Sequence, residues 1–154
     1  MSVPTSKRKT AKAQFVQDIR DTRHLILELT RKFPKGWYRS IISNLEQLAA
    51  QAYSDVIAGN SIYLGDTTKY EDVLLRHKYF ARCAATLSSL DAELTFCLSC
   101  VDRGNNFFGK KKDYLSAFSR CTDMCLRGRN NLRKVMASDN KRWDRILAKR
   151  ESCS

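Results

Sequence analysis

The sequence predicts an all-α fold, an up-down-up-down four-helix bundle with basic N- and C-terminal extensions. Three observations carry this expectation. Apolar residues return every three or four positions through four segments of about 20–35 residues each. No segment alternates with period two for long enough to make a strand. Two Pro and six Gly in 154 residues are too few for an all-β chain, which must turn about every ten residues. Amphipathic segments of this length joined by short links pack most economically as neighbours around one core.

The first helix is expected from about Ala13 to Lys32, with Phe15, Val16, Ile19, Ile26, Leu29 and Phe33 near helical spacing. Pro34 ends it, because a residue preceding proline disfavours the α conformation. The second spans about Gly36 to Ile62, where Tyr38, Ile41, Leu45, Leu48, Ala49, Ala52 and Val56 line one side. The third runs from Lys69 to Arg103, about 50 Å at 1.5 Å per residue. Thr68 and Glu71 suit a capping box at its start. Val73, Phe80, Leu87, Leu94 and Val101 then recur every seven residues, with Cys83, Leu90 and Cys97 as a partner row. Gly104-Asn105-Asn106 breaks the pattern. A fourth helix resumes by about Asp113, carries Tyr114, Phe118, Cys121, Cys125, Leu132 and Val135 inward, and fades near Ser138-Asp139-Asn140. Residues 1–12 thus read as a flexible basic arm, 13–138 as the bundle, and 139–154 as a basic tail. Trp143, Ile146 and Leu147 fit a short amphipathic helix in that tail as well as they fit a disordered segment.

Charge is unevenly placed. The net charge is +12, yet residues 13–109 are neutral. The excess lies on residues 1–12, which hold Lys7, Arg8, Lys9 and Lys12 without an acid, and on residues 110–150, where thirteen bases face only Asp113, Asp123, Asp139 and Asp144. A surface built for solubility mixes the signs throughout, whereas this concentration suits phosphate binding. No stretch approaches eighteen consecutive apolar residues, so no membrane partner is expected. The first residues lack the apolar core and cleavage site of a secretory signal. A cytoplasmic protein with reduced thiols is the expectation.

Motifs for chemistry are weak. Gly104-Asn105-Asn106-Phe107-Phe108-Gly109-Lys110 matches seven positions of a phosphate-binding loop, but Lys111 stands where Ser or Thr should hold magnesium, and a helix precedes it instead of a strand. A hairpin turn whose two Phe cover the bundle end is the reading taken. Cys97, Cys100, Cys121 and Cys125 have spacings that a zinc site can use across that hairpin. They also fit apolar rows and lack the Gly or Pro turns of such sites, so they read as core thiols, with no metal and no cofactor. His24 and His77 have no partner motif, and Asp91 and Glu93 lie on different helix faces. Asp91, amid the apolar row, is expected to pair with an Arg across the bundle. No enzymatic activity is expected.

The run from Arg127 to Lys134 behaves differently. Arg127, Asn130, Asn131 and Lys134 share one helical face, flanked by Arg120, while Arg129 and Arg133 form a second row further round. Lys110, Lys111 and Lys112 extend the surface toward the loop, and Lys141, Arg142 and Arg145 toward the tail. Such a face offers cations to phosphates and amides to sugars or base edges of RNA or DNA. No helix-turn-helix, zinc-finger or RNP motif accompanies it, so backbone contacts with strong salt dependence are expected. A helical scaffold that binds an acidic protein through the same face is the alternative, and nuclease treatment of a captured complex separates the two.

Several stretches resemble the accessory variability determinant (Avd) proteins of diversity-generating retroelements. They are Leu29-Thr30-Arg31-Lys32-Phe33-Pro34-Lys35, Leu45-x-x-Leu48-Ala49-x-x-Ala52, Val56-Ile57-Ala58-Gly59-Asn60, and the Arg76-to-Leu94 pattern with Ala84, Leu87 and Leu90. The resemblance covers roughly residues 15–137 and extends to the proteins encoded in intervening sequences of bacterial ribosomal RNA genes. It implies a four-helix protomer in a homo-oligomeric ring, typically a pentamer, that binds nucleic acid and a reverse transcriptase. It further implies support of template-RNA-primed cDNA synthesis without chemistry of its own. Gly128-Arg129-Asn130 stands where the family often carries a Gly-Gly-Trp-like stretch, and the nearest tryptophan is Trp143.

Overall fold

The computed structural model describes residues 5–102 and 110–154. Every regular element among them is helical: α1 (Thr5–Thr30), α2 (Ser43–Ser61), α3 (Tyr70–Asp102) and α4 (Lys111–Ser152). After α1 the amides of Arg31, Lys32 and Phe33 tighten onto the carbonyls of Leu27, Leu29 and Thr30, and extended Pro34 ends the helix. A 3-10 turn (Lys35–Trp37) and a π-helical turn (Tyr38–Ile42) lead into α2. The start of α3 differs from the expected capping box. The Thr68 hydroxyl instead accepts the Gly65 amide and donates to the Tyr63 carbonyl, while Asp72 accepts the Lys69 amide at 3.2 Å. Glu71 and Asp72 place negative charge at this N-terminus, where the helix dipole favours it.

Each helix packs chiefly against two others: α1 and α3 both rest on α2 and on α4. The seven-residue row of α3, Val73, Phe80, Leu87, Leu94 and Val101, is buried as expected from its period. By length and composition α3 is the one helix among the described residues that is apolar enough to cross a membrane, and this row is turned against the other helices. Aromatic contacts bracket the core. Phe15 meets Phe80 edge-on at 5.6 Å toward one end, and Phe33 stacks on Phe118 at 6.3 Å toward the other.

Two expected boundaries are absent. α1 begins at Thr5, inside the stretch read as an arm, and α4 runs unbroken through Ser138-Asp139-Asn140 to Ser152. The tail is therefore the last third of α4. Trp143 and Ile146 form a second apolar cluster with Leu64 and Val73 under the α2–α3 connection. Tyr70 stacks on Trp143, and Arg150 lies over the same indole while donating to the carbonyls of Asp66 and Thr68. Asp139 does not break the helix because it points inward to Arg76.

Three buried aspartates each meet an arginine from another helix: Asp18 with Arg127, Asp55 with Arg82, and Asp139 with Arg76. Asp91, expected to form such a pair, forms none among the described residues. The Arg76 pair is the most enclosed. Its Nε donates to Asp139 Oδ2 at 2.6 Å and Nη2 to Oδ1 at 3.2 Å, while Nη1 donates to the carbonyls of Gly59 and Ile62.

Removing one partner of a buried pair strands the other charge, so Arg76→Met is expected to cost about 3 kcal/mol. Urea denaturation checks this as a lowered midpoint at unchanged slope. Gly59 gives a second test. A Cβ there would lie 2.6 Å from the buried Phe80 ring and 3.2 Å from Tyr79 Cβ. Gly59→Ala should therefore lose about 1–2 kcal/mol by overpacking, although helix propensity alone favours alanine by about 1 kcal/mol.

Candidate nucleic-acid interface

Continuity of α4 is what organises the basic residues. With 3.6 residues per turn, positions seven apart return to nearly the same azimuth, about 10.5 Å further along. Arg120, Arg127, Lys134 and Lys141 follow this spacing, and Arg145 continues the line. All five are exposed, and the line spans about 38 Å. Asn130 and Arg133 lie on the same outward side, also exposed, and Lys110, Lys111 and Lys112 stand exposed at the start of the helix. Of the acids in this stretch, Asp113, Asp123 and Asp144 are exposed, whereas Asp139 is buried against Arg76. Turning Asp139 inward removes one negative charge from the outer face.

Not every predicted cation is equally free. Arg127 Nε lies 3.3 Å from Oδ2 of Asp18, which is only 2% exposed, and Asn131 donates to the same oxygen at 2.6 Å. Gln14 donates to the other oxygen. The face read from Arg127, Asn130, Asn131 and Lys134 is thus half outward surface and half seam with α1. Arg129 is half-buried near Cys125, where its charge and that of Asp91 both act on the thiol. Arg142 is half-buried too, with its guanidinium 5.3 Å from the Tyr63 ring centroid. Lys149 and Arg150 pair with the Asp66–Thr68 segment and anchor the helix end. Their proximity holds the Asp66 carboxyl below its usual range, chiefly through the Lys149 hydrogen bond. The side chains of Lys7, Arg8 and Lys9 lie outside the described residues, as does the Gly104–Gly109 part of the loop motif.

Sequence reading missed the seven-residue cation repeat, which was visible in principle once α4 was allowed to pass residue 138. It also missed two recesses beside that line. One is lined by Asp123, Leu126, Arg127, Asn130, Asn131 and Lys134 and holds about 310 Å³. The other, of about 380 Å³, opens between Phe15, the α2–α3 connection and α4 from Lys134 to Arg142.

Cys83, Cys97, Cys121 and Cys125 are buried in the core, Cys100 is half-buried and Cys153 is exposed. Among the described residues no three His, Cys, Asp or Glu side chains gather closely enough to hold a metal ion. Burial pushes the thiols of Cys83, Cys97 and Cys125 up to about 12 and that of Cys121 to about 11. Cys83 donates to the Ala52 carbonyl at 3.2 Å.

The outward geometry is that of a helical protein with a linear cationic face. Comparison with protein-family profiles, with curated proteins and with solved structures finds no match for this chain.

The thiolate is the form that iodoacetamide alkylates, and a raised pKa lowers its population below that pKa. At pH 8 roughly one in ten thousand molecules carries it at Cys83, Cys97 or Cys125. Mass mapping of the folded protein should find exposed Cys153 alkylated and these three unmodified until denaturant is added.

Proposed function

We propose that this chain is a non-catalytic, nucleic-acid-binding accessory subunit of a retroelement reverse transcriptase, of the Avd kind. It assists template-RNA-primed cDNA synthesis in a diversity-generating retroelement, in the cytoplasm, and has no chemistry of its own. The observation that carries the reading is the line of exposed cations along α4 from Arg120 to Arg145. Regular spacing on a rigid helix matches a polyanion with regularly spaced charges better than it matches an acidic patch of irregular shape.

The helices are proposed to run up-down-up-down. Supporting contacts run in opposite directions along neighbouring helices: Thr30 meets Glu46 while the earlier Arg23 meets the later Tyr53, and Arg76 meets Asp139 while the later Leu87 lies near the earlier Gly128. Assembly into a homo-oligomer, a pentamer by family resemblance, would set several α4 faces on one nucleic acid. A modest surface per protomer then acts with the avidity of the ring.

The test uses Arg120→Ala/Lys134→Ala/Lys141→Ala, three exposed cations without a partner among the described residues. Each phosphate contact contributes about 0.7–0.9 to the slope of log K against log salt. The triple variant should flatten that slope by about 2 to 3 for RNA or DNA, with helicity by circular dichroism unchanged. An unchanged slope would place the contact elsewhere, and no binding by the wild type at low salt would end the nucleic-acid reading.

A further inference from the structure

The larger recess sits where the cationic line passes the α2–α3 connection. Its volume, about 380 Å³, is in the range of small-ligand sites, roughly 300–1,000 Å³. Phe15, Ile62 and Val135 supply an apolar wall. At its floor Arg76 spends its guanidinium on both oxygens of Asp139 and on the carbonyls of Gly59 and Ile62. That pair is electrically closed and gives the recess a fixed base. Lys134 and Arg142 remain on the lining, so the charge left over is positive. The side chains of Asn60 and Ser138 also line it without a hydrogen bond to another described residue, leaving an amide and a hydroxyl for a polar edge.

Tyr63 stands at the opening. It is the most exposed of the large hydrophobic side chains described, at 74%. Its position is nevertheless defined. The ring lies so close to Gly65 that a Cβ there would come within 2.7 Å of Cε1, and the Arg142 guanidinium lies over the ring, 5.3 Å from its centroid, and donates to its hydroxyl at 3.4 Å. An aromatic ring held in place by a cation over it, with most of its surface still open beside a ligand-sized recess, is an arrangement that can stack a nucleobase. An acidic peptide would use the cations but has no need of the ring. Lys134 lines both recesses, so a strand lying on the α4 face passes directly into this one.

We propose that this recess takes one unstacked nucleotide of a single strand, with Tyr63 stacking its base and Lys134 and Arg142 holding its phosphates. The proposal rests on the nucleic-acid reading above and adds a preference that phosphate contacts alone do not create. A base paired inside a duplex cannot reach the ring.

Fluorescence anisotropy of the full chain tests it, with a 12-nucleotide single-stranded RNA and a duplex of the same length as probes at fixed salt. Tyr63→Ala should weaken single-strand binding on the order of tenfold, leave duplex binding and the salt slope unchanged, and be rescued by Tyr63→Phe. The exposure of Tyr63 keeps the fold out of the comparison. Single-strand affinity equal to that of the wild type, equal losses on both probes, or a Tyr63→Phe protein as weak as Tyr63→Ala would each overturn the proposal. Displacement of the strand by micromolar nucleoside monophosphate would assign the recess to a soluble nucleotide and overturn it too. If the wild type binds neither probe, the functional reading fails as well; if it binds with a steep salt slope while Tyr63→Ala has no effect, only the recess assignment fails.

Discussion

The buried pair of Arg76 and Asp139 is the interaction on which the rest of this structure depends. One guanidinium, carried by α3, reaches α4 through both oxygens of Asp139 and the end of α2 through the carbonyls of Gly59 and Ile62. The Ile62 carbonyl lies just past the end of α2, and the Gly59 carbonyl, which also accepts the Ile62 amide, is in its last turn, so Arg76 closes the end of that helix. A pair this enclosed recovers little net energy, because desolvating both ions offsets their attraction. What it provides is geometry. It sets α4 against α3 at a fixed register where α4 passes through Ser138-Asp139-Asn140.

That geometry has electrostatic consequences. α4 has few acids, and the pair takes one of them out of solvent. Asp18 acts in the same way on α1, drawing Arg127 and Asn131 toward the seam and leaving Arg120, Arg133, Lys134, Lys141 and Arg145 as outward cations without an ion pair among the described residues. Below the point where Asp139 enters the core, Trp143 and Ile146 pack on Leu64 and Val73, and Arg150 closes over the indole. The helix end is thereby held by apolar burial and by hydrogen bonds to the α2–α3 connection. The same connection presents Tyr63, so the part of the chain that steadies α4 also forms one wall of the recess beside it.

Much of this was legible in the sequence. The seven-residue row of α3 was read directly, because a long periodic pattern leaves little choice of face, and Pro34 marked the end of α1 for a steric reason. The continuity of α4 was not legible. Ser138-Asp139-Asn140 are weak helix formers that favour turns, and only a partner 63 residues away makes Asp139 an inward-facing residue. The engagement of Arg127 by Asp18 was hidden for the same reason: the exposed look of a basic run says nothing about a buried acid on another helix. At the start of α3 the spacing of Thr68 and Glu71 suits a capping box, but the α2–α3 connection draws the Thr68 hydroxyl into hydrogen bonds with Gly65 and Tyr63. The recess joins three separate stretches of chain, and no local pattern encodes such a junction.

The central claim is that nucleic acid lies along the outward face of α4, and ultraviolet cross-linking of bound RNA followed by peptide mapping tests it most directly. The account predicts cross-linked peptides from α4 between Arg120 and Arg145, together with the peptide that carries Tyr63. Cross-links confined to the outer surfaces of α2 or α3, with α4 unmodified, would contradict it.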